Sequence, residues 1–293
     1  MNGPTIAAVI LAKNEAINIE RCIRALNWVD RVWVVDDGST DATAEIATNL
    51  GARVVQHGFE SFAQQRNWVL AQAELNQQWV LMLDADEVAT ERFASEVQRK
   101  TAAANDDVVA FRTCRKTMLE GTWLKYSDSF PVWIMRLVRR GSAWFEDSGH
   151  GEVPVPEVDG LIETIQEPFI HYPFSRGMED WWTRHVRYAG REAVREMTES
   201  TEPVLSGLFG LDSSRRRRAL RTVSRRLPAR GLLRLFYQYI VKRGFLDGRA
   251  GWRFCRMMAC YESMISIRKL EPLDFSPIDA DATQAPADVT RRT

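Results

Sequence analysis

The chain has 293 residues, 45% hydrophobic and 27% charged, with 39 Lys and Arg balanced by 39 Asp and Glu. This composition fits a globular protein with one large domain, or one domain and an extension, and excludes fibrous and low-complexity classes. The zero formal charge hides an asymmetry: residues 1–110 carry 9 Lys/Arg against 16 Asp/Glu, and the remainder 30 against 23.

An acidic front and a basic back predict two regions with different partners. Cys22, Cys114, Cys255 and Cys260 form no C-x-x-C pair. The expectation is a reduced, cytoplasmic chain with neither a disulfide framework nor a zinc site. The opening "MNGPTIAAVILAKNE" reads as a first strand and not a signal peptide. No window reaches the ~18–20 apolar residues that a transmembrane helix needs.

In chain order, "TIAAVILA" (5–12) has the length and β-branched content of a buried strand. Ile19, Cys22, Ile23 and Leu26 then fall at i, i+3, i+4, i+7, one face of a helix. "RVWVV" (31–35) is a second strand, and Asp41 after "DDGST" is a candidate N-cap for a helix over 42–50. "ARVVQ" (52–56) predicts a third strand with a helix through 61–75, and "WVLML" (79–83) a fourth with a helix over 90–103. "VVAFR" (108–112) continues the sheet. Strands alternating with helices imply βαβ units, hence an α/β fold with a mostly parallel sheet flanked by helices.

From about residue 175 the sequence turns to helices rich in Trp, Tyr and Arg. Residues 213–244 contain 11 Lys/Arg and no acid, and the Pro/Asp/Ala/Thr-rich tail 271–293 is expected to be disordered. The expected division is therefore 1–174 as an α/β domain, 175–270 as a helical, basic C-terminal extension, and 271–293 as a tail.

In open α/β sheets ligands bind beyond the carboxyl ends of the strands. Those ends read "KNE" (13–15), "DDGS" (36–39) and "DADE" (84–87). No G-x-G-x-x-G follows the first strand and no G-x-x-x-x-G-K-[ST] occurs, which argues against a dinucleotide-dependent dehydrogenase and a P-loop nucleotidase. An Asp-x-Asp at a strand end supplies hard oxygen ligands for Mg²⁺ or Mn²⁺, ions that neutralise a departing diphosphate.

Taken together and in order, "AAVILAKNEAINIERCIRAL", "VDRVWVVDDGSTDAT", "FAQQRNWVL" and "WVLMLDADE" resemble family 2 glycosyltransferases. The likeness is to the bacterial branch that extends lipopolysaccharide core and exopolysaccharide, and covers roughly 5–190. It implies a GT-A fold, a nucleotide-diphospho-sugar donor, a divalent metal (Mg²⁺ or Mn²⁺) and inversion at the anomeric carbon. By the same resemblance Asn14 and Glu15 meet the nucleoside, Asp37 the base or ribose, and Arg66 the nucleotide phosphates. Asp84 falls on the donor's ribose or sugar, and Asp86 is the metal ligand. Asp36 and Asp41 read better as turn and cap formers, and Glu87 as the start of the next loop.

An inverting transfer needs one general base. The resemblance draws it from "WFEDSGHGEVP" (144–154), with Glu152 the first candidate, Asp147 the second, and Glu146 and His150 behind them. Relatives often carry His-Glu here, whereas this chain reads His150-Gly151-Glu152. His171 could reach the metal or a phosphate, though a lone His beside an apolar run is more often a packed side chain. Trp181, Trp182, His185 and Tyr188 suit core packing better than sugar stacking.

Leu232, Leu233, Leu235, Phe236, Tyr239 and Ile240 give the basic region an apolar face. With a lipid-linked or polysaccharide acceptor implied, an anionic membrane surface is the expected partner in preference to nucleic acid. The location that follows is the cytoplasmic side of the membrane, held peripherally. Two rivals use the same residues: a haloacid-dehalogenase-type phosphatase with Asp84 as nucleophile, and a non-catalytic membrane-associated scaffold on a transferase fold.

Overall fold

The computed structural model describes residues 3–148, 151–156, 159–198 and 229–270. Its first part runs β1 (Ile6–Ala12), α1 (Ile19–Arg24), β2 (Arg31–Asp36), α2 (Thr43–Asn49), β3 (Arg53–Gln56), α3 (Phe62–Leu70), β4 (Trp79–Asp84), β5 (Glu87–Val88) and α4 (Glu91–Ala103). Next come β6 (Val108–Leu119), β7 (Thr122–Trp123), β8 (Trp133–Arg139), β9 (Ala143–Ser148), β10 (Gly151–Pro156), β11 (Leu161–Thr164) and β12 (Phe169–His171). Three α-helices follow among the described residues: α5 (Met178–Thr198), α6 (Arg230–Phe236) and α7 (Gly248–Arg268).

Every residue of β1 is buried, so both faces of the sheet must be covered. Alternation decides the partners: Ile6, Ala8, Ile10 and Ala12 join a core with α1, α2 and α4, while Ala7, Val9 and Leu11 join one with α3 and β9. The strands run in the order β3-β2-β1-β4-β8-β6-β12-β5, with β7 and β11 also paired to β6. The half from β3 to β4 is parallel, as expected.

Beyond it the sheet is mixed, because β8 inserts antiparallel between β4 and β6. "VVAFR" thus continues the sheet one strand further out, as the start of a 12-residue strand. The helix expected through 75 ends at Leu70. Asp41 stands one residue ahead of the helix cap, Ala42, and its carboxylate accepts the Thr43 and Ala16 N–H groups at 3.0 and 3.1 Å.

The C-terminal helices close onto the sheet. Ala189 and Ala193 of α5 pack against Tyr261 and Ile265 of α7, and Ala250 and Phe254 of α7 against Leu119 and Leu124. Buried Asp247 accepts the Tyr126 N–H at 3.0 Å, the Ser127 N–H at 2.7 Å and the Ser127 hydroxyl at 2.6 Å. Gln238 adds a bond to the Ser127 carbonyl at 2.8 Å. The expected tail 271–293 and most of the Arg-rich run, 213–228, lie outside the described residues.

The apolar residues in and just after α6 are only partly covered: Leu232, Phe236, Ile240 and Val241 are 69%, 60%, 48% and 56% exposed. Leu235 and Tyr239, expected on the same face, are half-buried. No helix among the described residues is long and apolar enough to cross a membrane.

Asp247→Asn removes an ionic acceptor from three donors and should lower unfolding stability by about 1–3 kcal/mol, measured by urea denaturation.

Candidate active site

Register brings the three polar strand ends onto one rim. Ala12 lies beside Asp36 and Leu11 beside Asp84, so the loops after β1, β2 and β4 emerge together. Asn14 sits in the left-handed region at φ 53, which asparagine tolerates better than most residues. Its Oδ1 accepts the Thr40 N–H at 2.8 Å, and its own N–H donates to Ser39 Oγ at 2.9 Å.

Gly38, at φ 67, lets the "DDGS" turn fold back. Asp36 is buried and accepts from the Ser39 N–H and hydroxyl and from Gln56 Nε2, so it forms the turn as expected. Asp37 accepts the Phe59 N–H at 2.7 Å and pairs with Lys13 Nζ at 2.8 Å. Glu15 pairs with Arg176 at 2.9 Å. Burial raises the Glu15 carboxyl above its ordinary value, against the opposing pull of Asn18 and Arg176.

The acids after β4 are neutralised from within. Asp84 accepts from Arg66 at 2.9 Å and from Arg136 at 2.8 Å. Arg136 also reaches Glu87 at 3.0 Å, and Glu87 accepts the Asp84 N–H at 3.0 Å. Arg66, Arg136 and Glu87 are 1%, 6% and 0% exposed. Burial pushes the Asp84 carboxyl up, but Arg136 and Arg66 overcome it and hold it well below the usual carboxylate range. For Glu87 burial wins over Arg136, and its carboxyl is raised. Glu87 is therefore no loop opener but a buried clamp in β5.

Asp86 faces elsewhere. Its Oδ2 lies 3.5 Å from His171 Nε2, a juxtaposition set by β12, whose His171 is the register partner of Glu87. Burial disfavours the ionised Asp86, yet His171 turns the balance and the carboxyl is lowered. His171 Nδ1 is buried without a hydrogen-bond partner.

A cavity of about 760 Å³ is lined by Asp84 and His171 and by none of Asn14, Glu15 and Asp37. Its wall includes Arg112, Arg115, Thr117 and Asp128, then Trp133, then Arg184, His185 and Tyr188 from α5 and Arg234 from α6. It therefore straddles the expected boundary at 174. Trp181 and His185 stack at 3.5 Å between ring centroids and also line this wall, whereas Trp182 does not. A second cavity of about 670 Å³ lies at the opposite strand ends, around Leu26, Arg24, Asp30, Arg31 and Arg53, away from the three polar strand ends.

The base candidates lie on the β9–β10 hairpin. Register sets Glu152 opposite Asp147, and Glu146 and Asp147 are exposed. The Glu152 side chain and His150 lie outside the described residues. Asp128 was not among the candidates; it faces the cavity and accepts the Thr117 hydroxyl at 2.5 Å. Arg136 was also missed. Its signal is a lone charge inside the apolar strand "WIMRLV", where a buried Arg requires acidic partners.

A parallel half-sheet with an acidic rim, a half-buried Asp-x-Asp and an adjoining polar cavity defines an α/β protein whose ligand-binding groups gather at the carboxyl ends of its strands. Residues 7–153 match the family described as glycosyl transferase family 2, and the chain belongs to that family.

Among its relatives, an uncharacterized glycosyltransferase of Rickettsia bellii is 39% identical over 103 residues, covering 35% of this chain and 34% of that one. The chain thus spans about a third of that relative's length. The lipopolysaccharide core biosynthesis glycosyltransferase LpsC of Rhizobium meliloti is 27% identical over 146 residues, 48% of this chain and 53% of the relative. Glucosyl-3-phosphoglycerate synthase from Mycobacterium tuberculosis, solved with Mn²⁺, uridine diphosphate and glucosyl-3-phosphoglycerate, is 24% identical. That likeness covers 39% of this chain and 45% of the other, with a TM-score of 0.34.

Arg136→Met leaves Glu87 buried without its cation and should cost about 3–5 kcal/mol in unfolding stability. Adding Glu87→Gln should recover part of that loss, which a double-mutant cycle in urea measures.

Proposed function

We propose that the protein is an inverting glycosyltransferase, moving a sugar from a nucleotide-diphospho-sugar to a hydroxyl of a lipid-linked or polysaccharide acceptor. The observation that carries this reading is the acidic rim of Asn14, Asp37, Asp84 and Asp86 in a chain of family 2. Asn14, Glu15 and Asp37 bind the nucleoside. Asp84, held ionised by two arginines, accepts hydrogen bonds from the donor's ribose or sugar. Arg66 serves the donor by fixing Asp84. The phosphatase rival needs Asp84 as a nucleophile, and a carboxylate clamped by two guanidiniums is poorly suited to attack.

Asp86 and His171 fit a divalent cation. They offer one hard oxygen and one imidazole nitrogen 3.5 Å apart, and the second ring nitrogen lacks a partner. No cluster of three such ligands occurs among the described residues, so diphosphate oxygens and water would complete the shell, as Mg²⁺ and Mn²⁺ commonly require. When bound, the ion supplies charge neutralisation to the departing diphosphate.

The base takes the acceptor proton as its oxygen attacks the anomeric carbon opposite the leaving group. Glu152 is the first choice and Asp147 the second, and Asp128 joins them as a carboxylate already facing the cavity. A donor panel with Mg²⁺ or Mn²⁺, read by nucleoside diphosphate release, tests the reading. Metal-dependent turnover is expected, with Asp86→Asn at least ~100-fold slower, and silence across the panel would favour the scaffold. Of Glu152→Gln, Asp147→Asn and Asp128→Asn, the base is the one that lowers kcat by roughly 10²–10⁴-fold.

The exposed apolar residues around Phe236 and Ile240, beside exposed Lys242, Arg243 and Arg249, support peripheral binding to an anionic membrane. The relative LpsC, named for lipopolysaccharide core biosynthesis, is consistent with a membrane-borne acceptor. Sedimentation with anionic liposomes should be strong at low salt, weak at high salt, and reduced at least ~10-fold by Phe236→Glu with Ile240→Glu. Equal sedimentation with neutral liposomes would refute an anionic partner.

A further inference from the structure

The cavity beside Asp84 has more positive charge than its own acids use. Arg66 and Arg136 are committed to Asp84 and Glu87. Arg184 binds Asp180 and the Pro173 carbonyl, and Arg234 donates to Gln238. Asp128, the other acid on the wall, is held by the Thr117 hydroxyl and forms no ion pair among the described residues. Arg112 and Arg115 remain, and among the described residues neither side chain has an ion pair or hydrogen bond. Arg112 is exposed and Arg115 half-buried, and two guanidiniums lining one cavity without a counter-ion among the described residues lower the cost of bringing in an anion.

Their strand holds them firmly. Arg112 is flanked in register by Met135 of β8 and Thr164 of β11, and Arg115 lies beside Phe169 of β12. Arginines on a paired central strand present their forks with little backbone entropy left to lose. β6 stands two strands beyond β4, about 10 Å across the sheet. Asn14, Glu15 and Asp37 do not line this cavity. The arginines therefore stand on the far side of Asp84 from Asn14, Glu15 and Asp37, the side left to an acceptor when the nucleoside occupies that rim, and Trp133 on the same wall is 39% exposed and open to a sugar face.

From this juxtaposition we infer that Arg112 and Arg115 form an oxyanion subsite for the acceptor, which carries a phosphate or carboxylate close to the hydroxyl that is glycosylated. The inference rests on the transferase reading for its word acceptor, but not for the anion site itself.

Calorimetry on the full chain, with UDP or GDP and Mn²⁺ present, compares glucose 6-phosphate, glucuronate and glucose. Glucose 6-phosphate or glucuronate should bind at least ~10-fold more tightly than glucose, and which of them wins identifies phosphate or carboxylate. Inorganic phosphate should compete in the unaltered protein, so the result does not depend on a variant that folds. Arg112→Gln with Arg115→Gln should abolish the preference while leaving nucleotide binding unchanged. Equal binding of the three sugars overturns the proposal, as does loss of nucleotide binding in the double variant, which would assign the arginines to the donor diphosphate. A protein that binds no nucleotide yet prefers the anionic sugars retains the subsite and refutes the transferase.

Discussion

The structure depends on how the carboxyl end of β4 is neutralised. A strand with no exposure along Trp79–Leu83 runs directly into Asp84, Asp86 and Glu87. Carboxylates at the edge of a core cost several kcal/mol each unless they are paired. Arg66 from α3 and Arg136 from β8 supply that pairing from the two sides of Asp84. With the strand end fixed by two guanidiniums and by the Asp84 N–H bond to Glu87, the rim keeps one geometry.

That clamp also divides the three acids by role. Arg136 consumes Glu87 and half of Asp84, leaving Asp86 to turn toward His171. A cluster that would repel itself becomes one buried acid bound to Arg136, one acid shared by two arginines and one acid beside His171. The arrangement links fold to chemistry, because β8 and β12 exist in the sheet where they do in order to bring Arg136 and His171 to β4 and β5. The C-terminal helices extend the same logic outward: Asp247 and Gln238 pin Ser127, next to Asp128, and α5 and α6 close the cavity wall.

Much of this was legible in order along the chain. The βα alternation from Ile6 to Ala103 follows local periodicity, and strand and helix positions agree with it to within a few residues, apart from the early end of α3. The acidic strand ends were legible too, since each follows its strand directly. What eluded reading were partners brought from afar. Arg136 stands 52 residues from Asp84, and Arg176 lies 162 residues from Asn14. No local period marks such pairs.

By itself, the sequence determined the parallel half-sheet, the rim of Asn14, Asp37, Asp84 and Asp86, and the family, because these features are written in short-range pattern and motif order. Only the tertiary structure decided which partner each acid faces. β8 runs antiparallel beside β4 and delivers Arg136, and β12 pairs with β5 and delivers His171. It also decided that Arg112 and Arg115 share one cavity with Asp128 and Trp133. Charge compensation is a property of neighbours in space, and those neighbours are set by sheet order and not by distance along the chain.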